Sequence, residues 1–418
     1  MRRGSHQFVK SIAACFSGTI FNLMVKTTTA QLNALIEAEV PKLIALRREL
    51  HQIPEVAWQE QKTSALLSQQ LKKAGIEHTK VAGTGILGQI KSGSGKVLAI
   101  RTDIDALPIE EETNLPFKSK HPGRMHACGH DVHMSIVTGC AKILAKLRDE
   151  FRGTVKFFYQ PAEEAPPGGA QQLIEAGVME KPKVDMVFGL HVNPEIVTGK
   201  IGLRNGPLMA GVLDFDLKIT GEGGHAALPH KGRDPIACTA AIVQALQTVV
   251  SRNLDPFEPA VVSIGKIDGG TARNVVPPEC RLEGTARALN KKTLMLLRQR
   301  ITALARNIAK GFDCKAELTA HDSYPPLLND HRANRHFEVA AGALLGGRSC
   351  VWIENPSMGG EDFARYLEQA PGAMFHLGIR NSKLGSTKGW HHPQFLVDEA
   401  AIAVGVKVMT RAVLDYLQ

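Results

Sequence analysis

The chain has 418 residues, of which 44% are hydrophobic and 22% charged, with a formal net charge of +9. That length holds two or three domains, or one core with an inserted module, and the composition is that of an ordinary globular protein. No uninterrupted apolar run approaches the roughly 20 residues of a membrane helix, and no run of five or six like charges marks a nucleic-acid surface.

Four of the positive charges (Arg2, Arg3, Lys10 and Lys26) precede the first acidic residue, Glu37. They flank a mildly apolar stretch, 11–25, that could be taken for an export signal. Ser17, Thr19 and Asn22 interrupt it. Ile12-Ala13-Ala14-Cys15 looks like a lipoprotein cleavage box, but Lys10 leaves almost no hydrophobic region before it. Residues 1–27 therefore read as a disordered leader, with ordered chain from near Thr28. Seven cysteines, an odd number without a tight framework, argue against a disulfide scaffold. They fit a reducing, cytoplasmic compartment.

From residue 31 to 50, Leu32, Leu35, Ile36, Val40, Leu43, Ile44 and Leu46 recur at helical spacing, and Pro54 closes the segment. A second helix runs to Ala74 and stops at Gly75. Gly83, Gly85 and Gly88 match a dinucleotide fingerprint, but that motif belongs between a strand and a helix. Here 86–90 reads as a strand and 91–95 as a hairpin turn, so no nucleotide site is inferred. The buried strand 97–100 delivers Asp103 and Asp105 at its carboxyl end. A helix over 132–147 and strands at 155–159 and 184–188 follow. Glu163, Glu164 and His191 thus lie just past strands, on the rim where open α/β sheets build their sites.

Beyond Gly206 the texture changes. Strict alternation at 214–220 marks a strand with one wet face, followed by a helix from Pro235 to about Val250. Strands at 261–267 and 281–288, a helix through Leu294 to Ile308 and a strand at 315–319 complete the series. Strand-helix-strand-strand-helix-strand is the ferredoxin-like order. After Tyr324-Pro325-Pro326, 351–353 and 373–377 read as further core strands, with Trp390-His391-His392-Pro393 beyond them.

The chemistry concentrates between His126 and Glu164. His126-Ala127-Cys128-Gly129-His130-Asp131-Val132-His133 opens this stretch and Gln160-Pro161-Ala162-Glu163-Glu164 closes it. Thiolate, imidazole and carboxylate together favour zinc, manganese or another transition metal over magnesium or calcium. Cys128, His130, Glu164, His191 and either His391 or His392 exceed one tetrahedral site and suit two metals. Glu163 is then free to handle protons.

These stretches, with Gly223-Gly224-His225-Ala226, Arg273-Asn274-Val275 and Met358-Gly359-Gly360-Glu361-Asp362-Phe363, resemble the dinuclear metallo-amidohydrolases. That metallopeptidase family includes aminoacylases, hippurate hydrolases and indole-3-acetyl-amino-acid hydrolases. The resemblance runs from about Arg48 to Asp398. It implies an α/β fold, a mostly parallel-sheet core (28–206 and 322–418) with an inserted ferredoxin-like lid or dimerisation domain (207–321). It also implies two divalent ions per subunit, manganese or zinc, held by Cys128, His130, Glu164, His191 and His391. Glu163 matches the general base, and Asp103 or Asp105 would orient a ligand imidazole. His126 and His133 match structural positions.

The resemblance further makes His225 an oxyanion donor, in some relatives reaching in from a partner subunit. Asn274 and Arg287 match positions that bind the substrate carboxylate, and 358–363 would line the acyl pocket. The implied reaction is hydrolysis of N-acyl-L-amino acids of hippurate, N-acetyl or indoleacetyl type, and the implied assembly is a homodimer joined through the lid. Rival readings are a dipeptidase or carboxypeptidase of the same fold, or a thiol amidase with Cys128 as nucleophile and His130 as base.

Overall fold

The computed structural model describes residues 27–418, so the expected leader lies outside the described residues except for Thr27. Helix α1 (Thr29–His51) starts at a capping box formed by Thr28 and Gln31. Helix α2 (Gln61–Lys73) follows, and Gly75 ends its turn at a left-handed φ of +67°. Strands β1 (Glu77–Val81) and β2 (Gly85–Ser92) form an antiparallel hairpin. Gly83 sits in its turn, so the glycine pattern joins two strands and opens no helix.

The turn after β2 is not a hairpin, contrary to the sequence reading. Strand β3 (Val97–Asp103) does not pair with β2, because β4 (Gly153–Gln160) lies between them. β4 runs antiparallel to β2 and parallel to β3. Parallel neighbours need a long crossover, and α3 (His130–Lys146), buried along most of its length, supplies it.

Helix α4 (Ala170–Glu175) leads to β5 (Met186–Val197), β6 (Ile201–Leu203) and β7 (Gly206–Met209). The chain then builds a separate layer from β8 (Gly211–Thr220), β9 (Gly224–His225), α5 (Pro235–Asn253), β10 (Ala260–Gly269), β11 (Val275–Val276), β12 (Glu279–Ala288), α6 (Lys291–Gly311) and β13 (Lys315–Tyr324). Its antiparallel sheet has the order β10-β12-β8-β13, while β9 and β11 pair only with each other. Leu213, Phe215, Leu217 and Ile219 of β8 pack on Ile242, Leu246, Leu297 and Ile301 of the two helices. The alternation of β8 is thus explained by one helix-covered face.

The chain returns through β14 (Leu327–Asn329), which pairs with β7. It continues through α7 (His331–Leu345), β15 (Cys350–Trp352), α8 (Ala364–Leu367), β16 (Gly372–Arg380) and α9 (Ala400–Tyr416). The large sheet has the order β1-β2-β4-β3-β5-β16-β6-β15. It is mixed: the central β4, β3, β5 and β16 run parallel, whereas β1 and β2 and the β16–β6 pair are antiparallel. β15 is an edge strand rather than a core strand. It pairs only with β6, and Trp352 is half exposed. Leu43, Ile136, Phe337 and Val406 of α1, α3, α7 and α9 bury one face of the sheet. Phe158, Val187, Phe363 and Met374 form the core on the other.

Candidate metal centre and catalytic base

The side chains singled out between Cys128 and His391 converge at one rim of the large sheet. Ligating atoms of Cys128, His130 and His191 all lie within 4.8 Å of one another, as do those of Cys128, Glu164 and His391, and of His130, Glu163 and Glu164. Each is delivered by local backbone. Gly129 caps α3 at φ +89°, and a Cβ there would come within 2.5 Å of Val192 Cγ2. Only glycine lets the Cys128 loop lie this close to β5 while placing His130 in the first helical turn. The His391 N–H donates to the Ala127 carbonyl at 2.9 Å, which ties the C-terminal loop to the cysteine loop.

His191 lies within β5 rather than past its end. β5 stops pairing with β3 at Phe188 but stays on β16 as far as Val197. The side-chain rim therefore opens where the strand itself continues. His191 Nδ1 faces the Val192 carbonyl at 2.8 Å, so Nε2 turns toward Cys128 Sγ, 3.5 Å away. His130 Nδ1 likewise takes the Asp105 carbonyl at 2.9 Å and leaves Nε2 without a hydrogen-bond partner.

The donors fit a cation. Glu164 Oε1 is buried without a partner, 3.7 Å from His130 Nε2 and 3.5 Å from His391 Nε2. Buried lone pairs left unpaired are costly, and a divalent ion would satisfy them. The charge balance agrees. Burial lowers the His130 pKa, but Asp103, Asp105 and Glu164 outweigh it and push the ring up to about 10. The site draws positive charge to the point where its donors converge. Thiol, imidazole and carboxylate in this number suit two transition-metal ions.

Glu163 stands beside a second buried group that the sequence reading did not identify. Its carboxylate lies within 4.8 Å of those of Glu361 and Asp362. The fully buried Arg101 donates to Asp103 Oδ2 (2.7 Å), Asp362 Oδ1 (2.8 Å) and Gln160 Oε1 (2.9 Å), and pairs with Glu361 at 3.0 Å. Burial, then Glu361, Glu164 and Asp362, hold the Glu163 carboxyl well above the usual carboxylate range, with Arg101 opposing them. Glu361 and Asp362 thus face this charge network, a role that the expected acyl-pocket lining by 358–363 did not include. The signal was an arginine directly after the apolar run 97–100, two residues before Asp103.

The two aspartates, either of which was expected to orient a ligand imidazole, do different work. Asp105 backs two candidate ligands: its carbonyl accepts from His130, and its Oδ2 accepts the Glu164 N–H at 3.0 Å. Asp103 instead binds Arg101 and His133 and stays 3.7 Å from His130 Nε2. His126 is buried outside the cluster. His392 Nδ1 accepts the Gln394 N–H at 3.0 Å and is likewise outside the cluster, which leaves His391 as the donor of that pair.

His225 and Asn274 are not brought to this rim by any contact among the described residues. Both are exposed on the β9–β11 ribbon, where the Ala226 N–H donates to the Asn274 carbonyl. Arg287 is half-buried where the two layers meet, and its Nη1 donates to the Met358 carbonyl at 2.9 Å.

Fold and site together define a metal-dependent hydrolase of amide bonds. The chain belongs to peptidase family M20/M25/M40, whose family model matches residues 99–415. It is 42% identical over 86% of its length to an N-acetyl-L-cysteine deacetylase of Bacillus subtilis, covering 85% of that protein. It is 37% identical over 90% of its length to an IAA-amino acid hydrolase of Arabidopsis thaliana, covering 86% of that one. Among solved structures it resembles a Bacillus subtilis dinuclear metal-binding peptidase of the M20 family. The TM-score is 0.80 at 38% identity, covering 91% of this chain and 99% of the other.

Proposed function

We propose that this protein hydrolyses N-acyl-L-amino acids of acetyl, benzoyl or indoleacetyl type to a carboxylate and a free amino acid. The observation that carries the reading is the convergence of Cys128, His130, Glu164, His191 and His391 with Glu163 beside them. The names of the two relatives described above support this substrate class. Those five residues would hold two divalent ions, manganese or zinc, which when bound acidify water and polarise the scissile carbonyl.

Glu163 then accepts a proton from the attacking water and delivers it to the leaving amine nitrogen. A carboxyl held above its ordinary pKa by burial and neighbouring acids suits both tasks. Asp105 fixes His130 and Glu164. Arg287 and Asn274 bind the substrate carboxylate, and His225 donates to the developing oxyanion. Exposure of His225 and Asn274 on the ribbon fits delivery by lid movement or from a second copy joined through the lid, whose edge strand β10 carries the half-exposed Ile267. A cytoplasmic location fits the free cysteines of the described residues.

A thiol amidase is disfavoured. Burial, then Glu164, Glu163 and Asp103, push the Cys128 thiol well above its usual value, the reverse of an activated nucleophile.

Metal analysis of purified protein, alongside a hydrolysis panel of acetyl-, benzoyl- and indoleacetyl-amino acids and dipeptides, tests the reading. About two ions per chain and turnover of acyl-amino acids that chelation abolishes are expected. Chelator-insensitive turnover, or cleavage of dipeptides alone, would overturn it.

A further inference from the structure

The strand that closes the lid also touches the base. Tyr324, the last residue of β13, donates from its hydroxyl to the main-chain carbonyl of Glu163 at 2.8 Å. The pairing of β13 with β8 slips between Asp322 and Tyr324, and such a bulge re-aims the side chain at its end. Arg365 fixes the same turn by donating to the Asp322 and Ser323 carbonyls at 3.1 and 2.9 Å. Burial, then Glu163 and Asp362, push the phenol up, so it remains a donor.

The segment it holds is strained. Ala162 adopts φ +52°, a left-handed conformation that costs a non-glycine residue and persists only when its surroundings impose it. The Ala162 N–H donates to Glu60 Oε1 at 3.0 Å, and the Glu164 N–H to Asp105 Oδ2 at 3.0 Å. Glu60 is itself held by Thr84 Oγ1 (2.6 Å) and the Trp58 N–H (2.9 Å). Three consecutive residues around the base are therefore gripped by side chains from three separate parts of the chain. Only Tyr324 comes from the lid strand.

We propose that Tyr324 is a positioning residue of the reaction: its hydroxyl fixes the Glu163 backbone, aims the carboxylate and links the anchorage of the lid to the base. The inference rests on Glu163 being the base. Misplacing a reacting group by about 1 Å can cost about 10²-fold in rate, and removing one of three grips is a milder disturbance.

Tyr324→Phe removes the hydroxyl alone and keeps the ring packing. Metal-loaded wild type, Tyr324→Phe and Glu163→Gln are compared with N-acetyl-L-methionine as probe substrate. Amide exchange of the 161–169 segment is followed in the metal-free proteins. Tyr324→Phe is expected to lose about ten-fold in kcat with KM within about two-fold, and to exchange faster in that segment. Glu163→Gln loses about 10²-fold or more with exchange unchanged. Tyr324→Phe with kcat within two-fold of wild type, a loss carried wholly by KM, or unaltered exchange would overturn the positioning role. Wild-type turnover in Glu163→Gln would instead overturn the base assignment.

Discussion

His133 Nδ1 lies 2.8 Å from Asp103 Oδ1, while its Nε2 accepts the Val192 N–H at 2.9 Å. Both ring nitrogens of a histidine inside the ligand motif are thus taken by protein. Burial brings its pKa down to about 4, against the pull of Asp103, so the ring is neutral and carries its proton on Nδ1. It pins Val192, and with it the neighbouring His191, to the strand that holds Asp103. His133→Phe strands one acceptor and one donor in the interior, at about 1–3 kcal/mol for each. Urea unfolding should show a loss of about 2–6 kcal/mol, with metal content at saturating metal unchanged. Loss of a metal at full stability would make His133 a ligand after all.

Arg101 is the cation on which a larger set of buried acids depends. Removing one partner of a buried ion pair leaves uncompensated charge and costs about 3–5 kcal/mol. Arg101→Met takes from Asp103, Glu361 and Asp362 the guanidinium they share, although His130 and His133 still face Asp103. Burial and Glu361, against the pull of Arg101, already raise the Asp362 pKa to about 7, and losing the guanidinium raises Glu361 and Asp362 further. An acid raised above its unfolded value destabilises the fold as pH climbs past that unfolded value, near 4. The deficit should therefore be larger at pH 8 than at pH 5, as read by denaturant unfolding. Equal losses at both pH values would mean that packing, not charge, sets the cost.

Local sequence carried much of this architecture. Alternation in β8, helical spacing in α1 and α6, and donors at strand ends were legible because period and residue chemistry are local properties. The β2–β4 pairing was not, since strand order depends on where a crossover lands. The fully buried β4 shows no alternation that could reveal a neighbour. The ligand motif was legible by residue type, whereas Tyr324, Glu60 and Arg101 act through contacts between residues about 100 or more positions apart along the chain. Tyr324 and Glu60 carry no local sign of a partner, and Arg101 carries only the oddity of a cation directly after an apolar run. His191 inside β5 shows the same limit: which part of a strand is rim depends on its neighbours.

His51 offers a pH test away from the metal ligands. Its ring is buried between Asp131 Oδ2 (2.8 Å) and Glu111 Oε1 (3.3 Å), with Arg47, Phe117 and His126 around it. Burial and Arg47 lower its pKa, but Asp131 and Glu111 outweigh them and raise it. A histidine raised on folding contributes stability fully below its unfolded value of about 6.5 and loses it as pH rises through the folded value. His51→Gln should therefore lose more stability relative to wild type at pH 6 than at pH 9, by chemical denaturation at both. A deficit that grew toward pH 9 would show that His51 folds as the neutral ring.

Cys128→Asp separates the two chemistries open to this site. A carboxylate at that position can still donate to a divalent ion, although an oxygen donor shifts preference from zinc toward manganese. It cannot form a thioester. If Cys128 is a ligand, the variant reconstituted with manganese should keep turnover within about ten-fold of wild type and hold about two ions by metal analysis. If the thiol attacked substrate, turnover should fall by about 10⁴-fold or more whatever metal is supplied, as when a nucleophile is removed from a catalytic triad. The carboxylates around Cys128 favour the first outcome, since they oppose a free thiolate but are balanced once cations stand among them.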